Sequence, residues 1–290
     1  MKDLYLQFQR AIDDDDQAFL RDWMDSGRPF DHREKHPYHG PLHWACYKNR
    51  LPLIRELLER GASVDYDVAT EPGNSYLPIH AAAYGEHDAL VELLIERGSP
   101  VDLATCVFRR DREGALAVLA ADPEALTRRV WHIRYSVLHF AADTGRADMV
   151  EFLVDQGLDA NVRDRDGHAP MYYAARNSPD LDVMQALLAQ GADPNHASRT
   201  GITPLTAACR HLESLPTVRW LLAHGADPNQ STKDGTTPLH KAVANKVLPM
   251  AEALLEAGAD PHLPGKKKET PIDLAERKKL FELAERMRAL

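Results

Sequence analysis

The sequence predicts an all-α solenoid of stacked helix-turn-helix units with short β-hairpin-like fingers, about nine units counting a cap at each end. Three observations predict it. Glycines that close apolar helical patterns recur at Gly27, Gly61, Gly98, Gly157, Gly191, Gly225 and Gly258, at steps of 34, 37, 59, 34, 34 and 33 residues. A second landmark precedes each glycine from Gly61 onward: GPLHWAC from 40, LPIHAAA from 77, SVLHFAA from 136, APMYYAA from 169, TPLTAAC from 203 and TPLHKAV from 237. Between the landmarks lie Leu-rich segments such as RELLERG, VELLIERG, QALLAQG and EALLEAG, each reading as a second helix. One helix pair of this size cannot bury its own apolar face, so the units must stack.

Each element has a local reason. Residues 2–27 give two short amphipathic helices around the Asp13–Asp16 turn, with the charged outer positions of a terminal cap. In the later units Thr before Pro starts the first helix: the Thr hydroxyl caps orphan amides, and Pro gives up a bond that was unavailable there anyway. Paired alanines one turn later let neighbouring helices approach closely. The words GADPN at 191 and 225 and GADPH at 258 are punctuation, in which Gly takes the left-handed C-cap conformation and Asp-Pro turns the chain into the next finger. This motif resembles the ankyrin repeat, whose signature is TPLHxA at a period of about 33 residues.

The interval between Gly98 and Gly157 is out of step. Its stretch DLATCVFRRDREGALAVLAADPEAL supplies two helix-like segments but no TPLH and no room for a finger, and it looks like an N-terminal ankyrin cap in its own right. The sequence therefore predicts a discontinuity near residues 99–102. Residues 1–100 would hold the N-terminal cap and two units; residues 101–290 would hold a degenerate cap-like unit, four units and a C-terminal cap at 270–290.

Composition narrows the function. At 290 residues, 44% hydrophobic, the chain can bury a sizeable core, and a formal net charge of −9 argues against a general binder of nucleic acid or anionic membrane. No apolar leader or run of about 18 apolar residues occurs, which predicts a cytoplasmic, unanchored protein, with a monomer favoured. The three cysteines, Cys46, Cys106 and Cys209, are dispersed and odd in number, and Cys46 and Cys209 occupy a small-residue slot of the motif.

Catalytic and phosphate-binding signatures are missing: GxGxxG, GxSxG, HExxH and paired CxxC do not occur, and PGKKKET lacks phosphate-loop spacing. The strongest metal-like cluster is His32, His36, His39, His43 and Cys46, whose types suit zinc. His43, however, sits where the repeat itself asks for His, and Cys46 sits in its alanine slot, so the cluster reads as structural. Consecutive Asp13–Asp16 side chains diverge and suit a solvated turn better than an oxygen cage. The sequence thus predicts a protein that is no enzyme and needs no cofactor.

The resemblance implies a protein partner held in a concave groove lined by fingers and first helices. The positions just before each TPLH and just after each Ala-Ala would form rows along it. They are aromatic through the N-terminal half and centre, at Tyr38, His39, Tyr47, Tyr76, Tyr84, Trp131, His132 and Tyr135. They become cationic or polar toward the C-terminus, at Arg165, His168, Arg176, Arg199, Arg210, His211 and Lys233. Tyr, Trp and Arg dominate binding energy at interfaces, so an unidentified protein with an acidic or aromatic-accepting segment is the expected partner. The resemblance also implies Asn161, Asn195 and Asn229 as positions that some ankyrin proteins hydroxylate. Three other readings stay open: a specific inhibitor of the immunity or antitoxin type, a host-directed bacterial effector, and a metal-dependent activity at the His32–Cys46 cluster.

Overall fold

The computed structural model of the protein describes residues 2–27, 40–67, 74–130, 135–177, 181–210 and 212–290. Among these residues lie eighteen α-helices in consecutive pairs, and the chain divides into two compact units, Met1–Val137 and Leu138–Leu290. No helix among the described residues is long and apolar enough to cross a membrane.

In the first unit, α1 (Lys2–Asp13) and α2 (Gln17–Asp25) form the cap, followed by α3 (Pro41–Tyr47) with α4 (Leu51–Glu59) and α5 (Pro78–Tyr84) with α6 (Asp88–Glu96). The pair α7 (Leu103–Arg109) and α8 (Arg112–Ala121) completes it. First helices stack on first helices, α1 on α3, α3 on α5 and α5 on α7. Ala45, Ala81 and Ala82 lie at 0% exposure, so small side chains are what let these helices meet. Second helices supply the larger apolar groups, including Ile54, Leu57 and Leu94 at 0% exposure. Each such side chain contributes about 1.5–3 kcal/mol of burial.

The break takes a specific form. No finger precedes α7: after Gly98 the chain passes through Ser99–Val101 directly to Asp102, which caps α7 by accepting from the Thr105 amide at 2.9 Å. The next hairpin reaches back over the missing finger. Strand β2 (Arg129–Val130) pairs antiparallel with β3 (Tyr135–Ser136) and parallel with β1 (Asn74–Ser75), which belongs to the finger before α5. At residues 99–102, where the sequence predicts a discontinuity, α5 and α7 pack together inside one compact unit, and the division of the chain falls after Val137.

The second unit carries α9 (Val137–Asp143), which opens at the division, with α10 (Ala147–Asp155), then α11 (Pro170–Asn177) with α12 (Leu181–Ala189) and α13 (Pro204–Ala208) with α14 (Leu215–Ala223). The pair α15 (Pro238–Ala244) and α16 (Leu248–Glu256) and the terminal pair α17 (Pro271–Arg277) and α18 (Phe281–Arg288) follow. The expected Thr caps are present: Thr203, Thr237 and Thr270 accept from the amides of Thr206, His240 and Asp273.

Two ladders join successive repeats. His240 Nδ1 accepts from the Thr237 amide at 3.1 Å, which leaves the Nε2 proton to donate to Glu269 O at 3.0 Å in the following finger. His43 and His139 reach Tyr76 O and His168 O, each at 3.0 Å. His80 is the exception, because the missing finger leaves no carbonyl and its Nε2 meets the Asp102 carboxylate at 2.8 Å instead. The second ladder uses the Asn of the punctuation words. Asn195 Nδ2 donates to Gly225 O at 2.8 Å while its Oδ1 accepts from the Asp227 amide at 2.7 Å. Asn161 and Asn229 make the equivalent pairs with Gly191 and Asp193, and with Gly258 and Asp260.

Adjacent fingers touch main chain to main chain, with Arg199 N donating to Asp166 O and Lys233 N to Thr200 O, each at 2.9 Å. Gly201 sits at this contact with φ +82°, and a Cβ there would lie 2.8 Å from Thr232 Cα. Gly191 has a similar φ of +84° but open space around it. Gly191→Ala should therefore cost about 1 kcal/mol from conformation alone, and Gly201→Ala about 1–3 kcal/mol more because two backbones must separate. Urea denaturation of the two variants compares them directly.

Burial by itself would raise the Asp102 carboxyl, but the His80 charge and hydrogen bond, with the Thr105 amide and hydroxyl, outweigh it and hold the group at about 2, below its ordinary 3.8. A depressed folded value means the stabilisation is fully present above pH 3.8 and is lost as pH falls toward 2. Asp102→Ala should cost about 1–3 kcal/mol at neutral pH by stranding the buried His80 N–H. Urea midpoints taken between pH 7 and pH 3 should show the gap between wild type and variant holding constant and then narrowing below pH 3.8.

Candidate partner-binding surface

The surface is built from the fingers and the C-terminal ends of the first helices, taken unit by unit. In the first unit Tyr47 and Tyr84 end α3 and α5, the same position of successive repeats. Their rings stack at 6.1 Å between centroids with 26° between planes, and both are half-buried. Trp44, one turn earlier on α3, packs on Tyr47 at 5.4 Å, and Lys48 Nζ lies 5.0 Å from the Trp44 ring and 5.5 Å from the Tyr47 ring. Lys48 is in turn held by Asp13 at 3.2 Å. This is an aromatic platform with a cationic edge, a surface suited to an apolar or aromatic side chain of a partner.

Tyr76 and Tyr135 are corrections to the expected row. They are 5% and 3% exposed, and so belong to the core. Tyr76 follows β1, where its carbonyl receives the His43 proton, its amide donates to Asp67 Oδ1 at 2.8 Å and its ring packs 5.3 Å from His43. In these short fingers both residues before the helix are covered, Tyr76 with Leu77 and Tyr135 with Ser136, so a tyrosine at this position is buried. Tyr38, His39, Trp131, His132 and His211 lie outside the described residues.

In the second unit the cations reach the surface. Arg165, Arg199 and Lys233 stand exposed on the turns of three successive fingers. Arg176 is exposed near the end of α11, with its guanidinium 5.9 Å from the Tyr172 ring, and Arg210 is exposed just after α13. His168 is another correction. Its side chain is 11% exposed and stacks on Tyr172 at 3.9 Å, with Nδ1 3.4 Å from Asp164 Oδ2. Asp164 anchors this finger from within, accepting from Tyr173 Oη at 2.5 Å and from the amides of Asp166 and His168 at 2.8 Å. Burial alone would raise its carboxyl, yet the His168 side chain, then the Tyr173 hydroxyl and the His168 amide, hold it at about 2.

The rows read from the sequence leave out Trp44, Lys241 and Lys266, the last of which belongs to the basic run Lys266–Lys268 of PGKKKET. Trp44 and Lys241 occupy the variable x of the motif, on the exposed side of the first helix. Lys266 falls out of line because its finger follows a step of 33 rather than 34 residues. Allowing that one-residue deletion recovers it.

The remaining chemistry is inert. Cys46 and Cys209 are fully buried, and burial pushes both thiols well above their ordinary value. Burial, then the Asp111 and Asp102 charges, raises Cys106 to about 11. Among the described residues no cluster of three or more His, Cys, Asp or Glu converges on a metal-sized space. Of the zinc-like group only His43 and Cys46 are described, and His43 Nε2 is engaged in the repeat ladder.

A model described as "Ankyrin repeats (3 copies)" matches residues 112–198 and 177–264, more than half of the chain, and one described as "Ankyrin repeats (many copies)" matches residues 42–95. The chain belongs to the ankyrin repeat family. The matches bracket α7 on both sides, and the bridging hairpin lies within the match that begins at residue 112. Ankyrin repeats are generally protein–protein interaction modules. A curated relative, "E3 ubiquitin-protein ligase XB3" of Oryza sativa subsp. japonica, is 35% identical over 65 residues, or 22% of this chain. The aligned segment is only 14% of that protein, so the similarity reports shared repeats.

Proposed function

We propose that this ankyrin protein binds a partner protein with its fingers and first helices, the first unit offering an aromatic platform and the second unit a set of cations. The observation that carries the reading is how charge is divided in the second unit. Helices α11 and α15 carry Arg176 and Lys241, Arg210 follows α13, and α11, α13 and α15 contain no carboxylate. Of the second helices, α10 carries Asp148, Glu151 and Asp155, α12 carries Asp182, and α16 carries Glu252 and Glu256; α14 has Arg219 instead. Stacking demands apolar and small residues on the inner sides of these helices but is indifferent to the sign of their outer charges. The first helices on either side do carry carboxylates, Asp143 on α9 and Asp273 and Glu276 on α17, so the carboxylate-free stretch is the middle three; in a protein of net charge −9 that stretch supports selection for a binding surface.

Affinity purification from native cells, followed by mass spectrometry, identifies the partner. The double variants Tyr47→Ala/Tyr84→Ala and Arg176→Ala/Arg210→Ala should then each weaken its retention, with interface Tyr and Arg truncations costing about 1–4 kcal/mol apiece. The control Asp182→Ala/Glu252→Ala, on second helices, should retain it. A partner kept by both face variants and lost by the control would overturn the reading.

A further inference from the structure

Four successive fingers of the second unit close on a four-residue turn with the same hydrogen bonds, the fourth differing in that its third residue, Lys267, takes a positive φ of 62°. The fourth amide donates to the first carbonyl in each: Gly167 to Asp164 at 3.2 Å, Gly201 to Ser198 at 2.9 Å, Gly235 to Thr232 at 2.8 Å and Lys268 to Gly265 at 3.0 Å. A second bond closes each base, from Asp164, Ser198, Thr232 and Gly265 amides to the carbonyls of His168, Ile202, Thr236 and Glu269. The second residue of the turn is thus equivalent in all four fingers, and it is Arg165, Arg199, Lys233 and Lys266. The third residue shows no such rule: it is Asp166, Thr200, Asp234 and Lys267.

All four cations are exposed, and none forms a salt bridge among the described residues. Three of the carboxylates nearby make bonds of their own, although Asp234 also feels the Lys266 charge and Asp166 stands exposed beside Arg165. Asp164 is buried under Tyr173, Asp234 folds onto Thr232 Oγ1 at 2.6 Å, and Glu269 pairs with Arg277 at 2.6 Å. By contrast the cations of α17 and α18 are tied down, Arg277 by Glu269, Arg286 by Glu252, and Arg288 by Glu276 and Glu285. Like charges lined up at one turn position repel in the free protein, and an anionic ligand reverses the sign of that term.

Chain geometry sets the spacing of the ligand. Each finger leads directly into a first helix, and packed helices stand about 8–10 Å apart, so the tips recur at about that step. A polypeptide extended as polyproline II advances about 3.1 Å per residue with three residues per turn, so every third side chain falls on the same side at about the step of the tips. From this geometry we infer that the fingertip row binds an extended acidic segment of the partner protein, with a carboxylate at every third residue opposite Arg165, Arg199, Lys233 and Lys266. The inference rests on the proposed binding face and names the partner's chemistry. A peptide suits the row better than a nucleic acid, because a continuous phosphate chain would also run against the exposed Asp166 and Asp234 between the cations.

The test uses the full chain and two fluorescein-labelled peptides of about twelve residues with the same composition. One repeats Glu-Gly-Ser; the other gathers its glutamates at one end. Fluorescence anisotropy at low salt should show the spaced peptide binding about tenfold more tightly than the clustered one and than an oligo-dT of similar length. The combined variant Arg165→Gln/Arg199→Gln/Lys233→Gln/Lys266→Gln should lose about tenfold, single substitutions about twofold each, and added salt should weaken binding. No binding, equal binding of the two peptides, tighter binding of the oligonucleotide, or indifference to the substitutions would each overturn the inference. The two readings fail separately: a native partner lost by Arg176→Ala/Arg210→Ala but kept by the fingertip variant sinks the acidic row alone, and a partner kept by both sinks the second-unit face as well.

Discussion

Where the motif histidine is kept, at His43, His139 and His240, one imidazole proton couples a repeat to the next. With Nδ1 facing the amide that opens its own helix, the ring can only donate from Nε2, and the carbonyl it reaches lies in the finger of the following unit. Burial lowers His240 below the ordinary imidazole range, which keeps the ring in the neutral form this arrangement needs. The fingers that present Arg165 and Lys266 hang on that bond, while those that present Arg199 and Lys233 follow Tyr172 and Thr206 and are held by the asparagine ladder and by main-chain bonds to the preceding finger.

The consequence is clearest where the carbonyl is missing. Before α7 there is no finger, and His80 would be left with a buried donor and nothing to receive it, at a cost of about 1–3 kcal/mol. Asp102 fills the place, capping α7 with one carboxylate oxygen and taking the His80 proton with the other. The gap in the row of fingers is closed in turn by the hairpin of β2 and β3, whose first strand pairs with β1 across the skipped unit. An interval that reads as a break in the repeat is thus a splice, made with one carboxylate and a few backbone bonds.

The same economy explains the inward tyrosines. Tyr76 and Tyr135 look like surface residues when the motif is taken as a ruler, because they stand at variable positions before the helix. A finger, however, must bury something to stay against its helix, and an aromatic ring over His43 does so at Tyr76. Tyr47 and Tyr84, at the other end of the first helices, lie clear of that requirement and remain partly open. Arg165, Arg199 and Arg210, on finger turns and just past a helix end, stay exposed, since a guanidinium keeps its hydration there.

The sequence by itself determined the repeat and its phase, and with them the helix pairs, their caps and the closing glycines, because each is local: a Thr-Pro start, a pair of alanines, a Gly that must turn left-handed. It also determined which turn position is cationic, once a single deleted residue is allowed for. Only the tertiary structure decided what the Asn of the punctuation words does, since both of its bonds are made to residues about thirty positions away. It likewise decided where the chain divides, which carboxylate answers His80, and which tyrosines face inward. These outcomes depend on where one repeat's donors fall against the next repeat's acceptors, and that geometry exists only after the units have stacked.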